Sequence, residues 1–219
     1  VNQVLSEMTI DEKISLIMLQ SAPISMAGKI AAFEKYGIPS VEFADGPAGL
    51  RIDTPTIGYP SGTTLASTWN NKTVENLLKY LGDDCRDFGV EMILAPGMNI
   101  QKNILNGRNF EYFSEDPFLT GMMAASYTKG VQSTGVSVSL KHYAANNQET
   151  NRYSVSAELT ERALREIYLR GFDYAVELSD PHSVMTAYNK IMGVHAGQHK
   201  GIIDILRGEF NFNGFVMTD

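Results

Sequence analysis

The stretch Gly214-Phe215-Val216-Met217-Thr218-Asp219 reads as a short apolar strand that delivers a carboxylate at its tip. A carboxylate at the carboxyl end of a buried parallel strand stands where α/β barrels hold their reacting groups. The stretch therefore points to a barrel-type α/β fold and makes Asp219 a candidate nucleophile. Four further apolar strand candidates precede it, at 40–44, 90–95, 136–140 and 184–187, and each runs into polar or Gly/Pro-rich residues. Helical patterns lie at 73–88, 118–132, 160–178 and about 202–210. An earlier helix is signalled by the capping-box sequence Thr9-Ile10-Asp11-Glu12, with Ile14, Ile17 and Met18 following on one face. Strands alternating with helices, with no linker or low-complexity segment between them, predict a parallel sheet covered by helices.

Composition narrows the partners. The chain has 219 residues, 43% hydrophobic and 20% charged, which suits a globular domain with a real core. Its formal charge is −7 and its Lys and Arg residues are scattered, so no basic stripe is available for phosphates and nucleic acid is not an expected partner. No apolar run approaches the roughly 20 residues of a membrane span, and the amino terminus lacks a basic-then-apolar leader pattern. The single cysteine, Cys85, cannot form an intrachain disulfide. A cytoplasmic location and no membrane partner are the expectations, although a start at Val1 leaves a removed leader open.

The strand ends hold the chemistry. The first strand runs into Asp45-Gly46-Pro47-Ala48-Gly49-Leu50-Arg51, a tight turn with a carboxylate and a guanidinium, although such turns occur in many loops. The second leads into Asn106-Gly107-Arg108-Asn109-Phe110-Glu111 and then Ser114-Glu115-Asp116-Pro117. The latter run reads as a helix cap, which leaves Arg108 unexplained. The third strand continues straight into Lys141-His142-Tyr143. A Lys and a His there are costly to desolvate unless a substrate or a partner carboxylate receives them. Successive side chains of a regular strand point to opposite faces, so both reach one pocket only if the backbone is irregular there. The fourth strand ends at Tyr188, which as a rim tyrosine is also compatible with simple packing. Asp45, Arg108, Lys141, His142, Tyr188 and Asp219 thus fall at successive strand ends. Two carboxylates among cationic donors suit a neutral, polyhydroxylated ligand. The four histidines show no paired metal-ligand spacing, and no dinucleotide, phosphate-loop or nucleophile-elbow motif is present, so neither a metal nor a cofactor is expected.

In order and rough spacing, Asp-Gly-Pro-Ala-Gly-Leu-Arg at 45–51, Gly-Arg-Asn-Phe-Glu at 107–111, Ser-Glu-Asp-Pro at 114–117, Lys-His-Tyr with Asn-Asn-Gln-Glu-Thr-Asn-Arg within 141–152, and the terminal Gly-Phe-Val-Met-Thr-Asp resemble glycoside hydrolase family 3 in its β-glucosidase branch. The resemblance implies a (β/α) barrel of TIM type and a retaining β-glycosidase acting on β-glucosides or oligosaccharides. It implies Asp219 as the nucleophile, Asp45, Arg108, Lys141 and His142 as holders of the sugar hydroxyls, Tyr188 beside the nucleophile, and Arg51 as a residue lining the subsite. Double displacement also needs a second carboxyl group about 5 to 5.5 Å from the first. In this family that group is a glutamate beyond the nucleophile-bearing barrel, and Glu111, Glu115 and Glu149 do not correspond to it. The Lys-His-Phe-Pro-Gly and Asp-Ser-His patterns of the family's N-acetylglucosaminidases are absent.

The expectation is a single domain over 1–219, an incomplete barrel of about five β/α units cut at or just after the nucleophile strand, with the remainder of the enzyme as its partner. Such an open sheet exposes an edge through which copies could associate. Two other readings stand beside this one: a Schiff-base aldolase using Lys141, and a non-catalytic, sugar-binding or structural fragment of the family.

Overall fold

The computed structural model describes residues 1–22 and 27–219. Its strands in chain order are β1 (Gly28–Ile30), β2 (Val41–Asp45), β3 (Met92–Leu94), β4 (Ser137–Tyr143), β5 (Ser156–Ala157), β6 (Ser183–Thr186), β7 (Lys190–Ile191), β8 (Val194–His195) and β9 (Phe215–Thr218). The helices are α1 (Asn2–Glu7), α2 (Ile10–Leu16), α3 (Gly62–Ser67), α4 (Asn71–Asp87), α5 (Pro117–Gln132), α6 (Glu161–Ala163), α7 (Arg170–Ser179) and α8 (Lys200–Asp204). Six strands form the main sheet in the order β1-β2-β3-β4-β6-β9. From β2 to β9 every pairing is parallel, which gives the five strands of the sequence reading as part of a (β/α) barrel. The sequence had not revealed β1, which pairs antiparallel to β2 and forms one edge of the sheet. A small second sheet, β5-β7-β8, lies beside the main one.

Period-two alternation divides the sheet residues between two faces. Ala44, Ile93, Val138, Leu140 and Val184 belong to the large core shared with the helices, whereas Phe43, Met92, Leu94, Met185 and Met217 make a smaller cluster on the other face. Successive helices α4, α5 and α7 pack side by side over the large core. Glycines permit their close approach. A Cβ on Gly130 of α5 would lie 2.5 Å from the Glu75 carbonyl oxygen of α4, and one on Gly121 would lie 2.6 Å from the Tyr174 Cβ of α7.

Local signals in the sequence account for several boundaries. Thr9 and Glu12 form the expected reciprocal cap, and Asp116 accepts from Phe118 N–H at 2.9 Å to start α5 with Pro117 in its first turn. The apolar face read after Thr9 differs from expectation. α2 stops at Leu16, Ile17 serves as its C-cap, and Ile14, Ile17 and Met18 remain exposed because no described element covers them. The helix read over 160–178 is interrupted by a π-type turn at Leu164–Tyr168, and α8 runs into a similar turn at Ile205–Glu209. No helix among the described residues is long and apolar enough to cross a membrane.

Gly130→Ala tests the α4–α5 contact. Intrinsic helix propensity favours Ala by about 1 kcal/mol, while overpacking against the Glu75 carbonyl opposes it by about 1–3 kcal/mol. We expect a net loss of stability in urea unfolding; a higher midpoint would mean that the two helices separate without penalty.

Candidate active site

The carboxyl ends of the parallel strands open into a cleft of about 810 Å³. Asp45, Arg51, Arg108, Lys141, His142, Tyr188 and Asp219 all line it, so the tertiary structure brings together every site residue expected from sequence.

Asp45 closes β2 and enters a turn that requires glycine. Gly46 and Gly49 have φ of 150° and 119°, and a Cβ on Gly46 would lie 2.2 Å from the Gly49 carbonyl oxygen. The turn folds Arg51 back so that its N–H donates to the Asp45 carbonyl at 2.8 Å. The Arg51 guanidinium stays at the exposed rim, 3.7 Å from Asp45 Oδ2. Asp45 Oδ1 instead accepts from Lys141 Nζ at 2.5 Å. The Lys141 side chain is only 4% exposed, so this carboxylate is the partner that a buried ammonium requires.

β4 is irregular where Lys141 and His142 leave it. Its register against β6 shifts between Leu140 and Tyr143, and the Lys141–His142 peptide is cis. Both side chains line the cleft, as the sequence argument required. His142 is buried, and its pKa lies well below the ordinary range through desolvation, helped by the Arg108, Lys141 and Arg152 charges. Its Nε2 lies 3.6 Å from Asp219 Oδ2, a contact between a neutral ring and a carboxyl group rather than an ion pair.

Asp219 stands at the tip of β9, which is held in register with β6 as far as the Thr186–Thr218 pair. Its side chain is 14% exposed. Burial raises its pKa above the ordinary 3.8, and Asp45 adds to the rise, while a hydrogen bond from Tyr188 and the charges of Lys141 and Arg108 act against it. Burial and the Asp219 contact likewise raise the Tyr188 pKa. The Tyr188 ring is pinned by Tyr153, 4.7 Å away between centroids, and by the Arg152 guanidinium 4.8 Å from its centroid.

The sequence reading did not place three other charged residues in the cleft: Glu111, Glu149 and Arg152. All lie inside the motif runs, and each pairs with a charge three residues away in the chain. Arg108 binds Glu111 at 2.6 Å, and Arg152 binds Glu149 at 2.8 Å. Burial works against the Arg108 charge, but Tyr112, Glu111 and Glu149 together outweigh it. Close packing holds this loop, because a Cβ on Gly62 at the start of α3 would lie 2.2 Å from the Glu111 carbonyl oxygen. Among the described residues no cluster of His, Cys, Asp and Glu is arranged to hold a metal.

The cleft thus gathers a carboxyl group, a tyrosine and several hydrogen-bonding cations, and comparison with known proteins decides the relationship. The model of the glycosyl hydrolase family 3 N-terminal domain matches residues 18–219. The chain belongs to glycosyl hydrolase family 3. Within the family it is 48% identical over 208 residues to a beta-glucosidase of Ruminococcus albus, covering 90% of this chain and 22% of that protein. It is 44% identical to beta-glucosidase B of Emericella nidulans, covering 100% of this chain and 26% of that protein. Its fold superposes on beta-glucosidase 3B from Thermotoga neapolitana, solved in complex with glucose, with a TM-score of 0.96 and 47% identity, covering 100% of this chain and 33% of that one. The chain thus spans about a fifth to a third of the length of these family 3 relatives.

The electrostatics of the cleft can be tested by carboxyl-carbon NMR. Asp219 should titrate above 3.8. Because the Tyr188 hydroxyl stabilises the anion, Tyr188→Phe should move the midpoint higher still. A midpoint below the ordinary value, or a fall in the variant, would contradict this balance.

Proposed function

We propose that this family 3 chain supplies the nucleophile and the sugar-holding shell of a retaining β-glucosidase, which hydrolyses terminal β-D-glucosyl residues of β-glucosides by double displacement. The observation that carries the reading is the largely buried Asp219 carboxyl group in the wall of the cleft, with Tyr188, His142 and the Lys141–Asp45 pair lining the same cleft. Similarity to proteins named beta-glucosidase supports the substrate class.

In this mechanism the Asp219 carboxylate attacks the anomeric carbon as the bond to the leaving oxygen breaks. Water then cleaves the glycosyl ester, and configuration is retained. Tyr188 and the cations of Lys141 and Arg108 favour ionisation of the nucleophile and offset part of the effect of burial. Asp45, Lys141 and Arg108 present fixed acceptors and donors to sugar hydroxyls, and Arg51 borders the cleft mouth. The proton for the leaving oxygen must come from a second carboxyl group about 5 to 5.5 Å from the nucleophile. Glu111 and Glu149 are each engaged by a guanidinium, and we assign that role to neither. We read it as belonging to the remainder of the enzyme. The outer edge of β9 pairs with no strand among the described residues, which suits a junction with that remainder or, in the isolated chain, with a second copy. A monomeric mass by light scattering in dilute solution would remove the second possibility.

The geometry favours hydroxyl binding over Schiff-base chemistry for Lys141, because its nitrogen is already held by Asp45 at 2.5 Å in a nearly closed environment. Borohydride with a carbonyl substrate should therefore trap no adduct.

The direct test is release from an activated aryl β-glucoside, whose leaving group needs little protonation. We expect turnover or a stoichiometric burst that Asp219→Ala reduces by at least about a thousandfold. Lys141→Met should lower kcat/KM by about ten- to a hundredfold, the loss of a charged hydrogen bond. A folded chain that releases no more than Asp219→Ala would overturn the proposal for this chain and leave it a structural portion of a larger enzyme.

A further inference from the structure

Asn99 does not line the cleft, yet it controls a residue that does. It is 2% exposed and its side-chain amide brackets the His142 backbone. Oδ1 accepts from the His142 N–H at 2.9 Å, and Nδ2 donates to the His142 carbonyl at 2.8 Å. A backbone N–H only donates and a carbonyl only accepts, so these two bonds fix which end of the amide is oxygen, an assignment otherwise ambiguous in asparagine. The same Oδ1 lies 3.1 Å from His142 Nδ1. An amide oxygen cannot donate, so a hydrogen bond between them places the proton on Nδ1. A neutral imidazole carries one N–H, and Nε2 is then a bare lone pair.

We propose that Asn99 is a positioning residue that locks His142 in its Nδ1–H form and thereby presents Nε2 to the cleft as a hydrogen-bond acceptor. Nε2 faces Asp219 Oδ2 at 3.6 Å. Two acceptors at that distance share no hydrogen bond, so the position between them calls for a donor. On the reading of the cleft as a sugar site, that donor is a ligand hydroxyl that donates a hydrogen bond to His142 rather than accepting one.

The competing arrangement runs through Tyr112, whose hydroxyl lies 3.4 Å from His142 Nδ1. If Tyr112 donated to Nδ1, the ring would carry its proton on Nε2, and the lone pairs of Nδ1 and Asn99 Oδ1 would face each other at 3.1 Å. An alternative acceptor for the Tyr112 proton is close by. Asn146 contacts the Tyr112 hydroxyl at 3.4 Å through Nδ2, and its buried Oδ1 has no partner among the described residues. Turning that amide over gives the tyrosine proton an acceptor and leaves Nδ1–H to Asn99.

Two-bond ¹H–¹⁵N spectra of histidine-labelled protein distinguish these forms without sugar or turnover, so failure here is separate from failure of the glucosidase reading. The His142 signals are identified by their loss in His142→Gln. At neutral pH we expect a protonated Nδ1 and a pyridine-type Nε2. Tyr112→Phe should keep that pattern, and Asn99→Leu, similar in size but without an acceptor, should shift the proton toward Nε2. An imidazolium or an Nε2–H ring in the unsubstituted protein would overturn the proposal, whether or not the variants fold. So would an Asn99→Leu spectrum identical to that of the unsubstituted protein, or loss of Nδ1–H in Tyr112→Phe.

Discussion

The buried ammonium of Lys141 is the constraint on which the rest of the site depends. A charge that is 4% exposed is tolerated only with a close counter-charge, and the Asp45 carboxylate supplies it at 2.5 Å from the tip of another strand. The pair ties β2 to β4 across the intervening β3, so the ends of three strands are set by one electrostatic requirement. Cations then accumulate around the cleft. Arg108 and Arg152 are each neutralised locally by Glu111 and Glu149, yet their fields still act on His142, which burial and these charges hold neutral.

The same balance governs Asp219. Removing a carboxylate from water opposes its ionisation, and a nucleophilic role requires ionisation, so the surrounding groups must offset burial without engaging both oxygens. Tyr188 does so by a hydrogen bond, while Lys141 and Arg108 act through their charge. Tyr188 is in turn held by an edge-on contact with Tyr153 and by the Arg152 guanidinium over its ring. The cleft is therefore a network of interlocked charges, in which Asn99 orients one member from behind.

The scaffold makes such an arrangement reproducible. Parallel strands place their carboxyl ends on one side, and α4, α5 and α7, which glycines let pack closely against one another, share the large core with the sheet. Within the main sheet the irregular backbone falls at strand ends, where β4 changes register and the glycine turn after Asp45 folds Arg51 back.

Sequence alone was sufficient for the five parallel strands of the main sheet, the caps at Thr9 and Asp116 and seven of the residues that line the cleft, because each is written in a local signal: an apolar run, a capping side chain, or a polar or charged residue in the segment that follows a strand. It also carried the family motifs. What it did not reveal depends on partners distant in the chain. β1 is a three-residue strand whose existence rests on pairing with β2, and the small sheet joins β5 to β7 across more than one helix. The apolar residues after Thr9 looked like a packing face, but burial is set by what lies opposite and not by periodicity. Glu111, Glu149 and Arg152 were visible as motif letters, yet only folding made them cleft residues. Asn99 had no local signal at all, since its importance comes from two backbone bonds to a residue 43 positions away. The sequence determined which groups were available and which side of the sheet they would occupy; the tertiary structure decided their charge states and proton positions, because those depend on burial and on neighbours that only the fold brings within hydrogen-bonding distance.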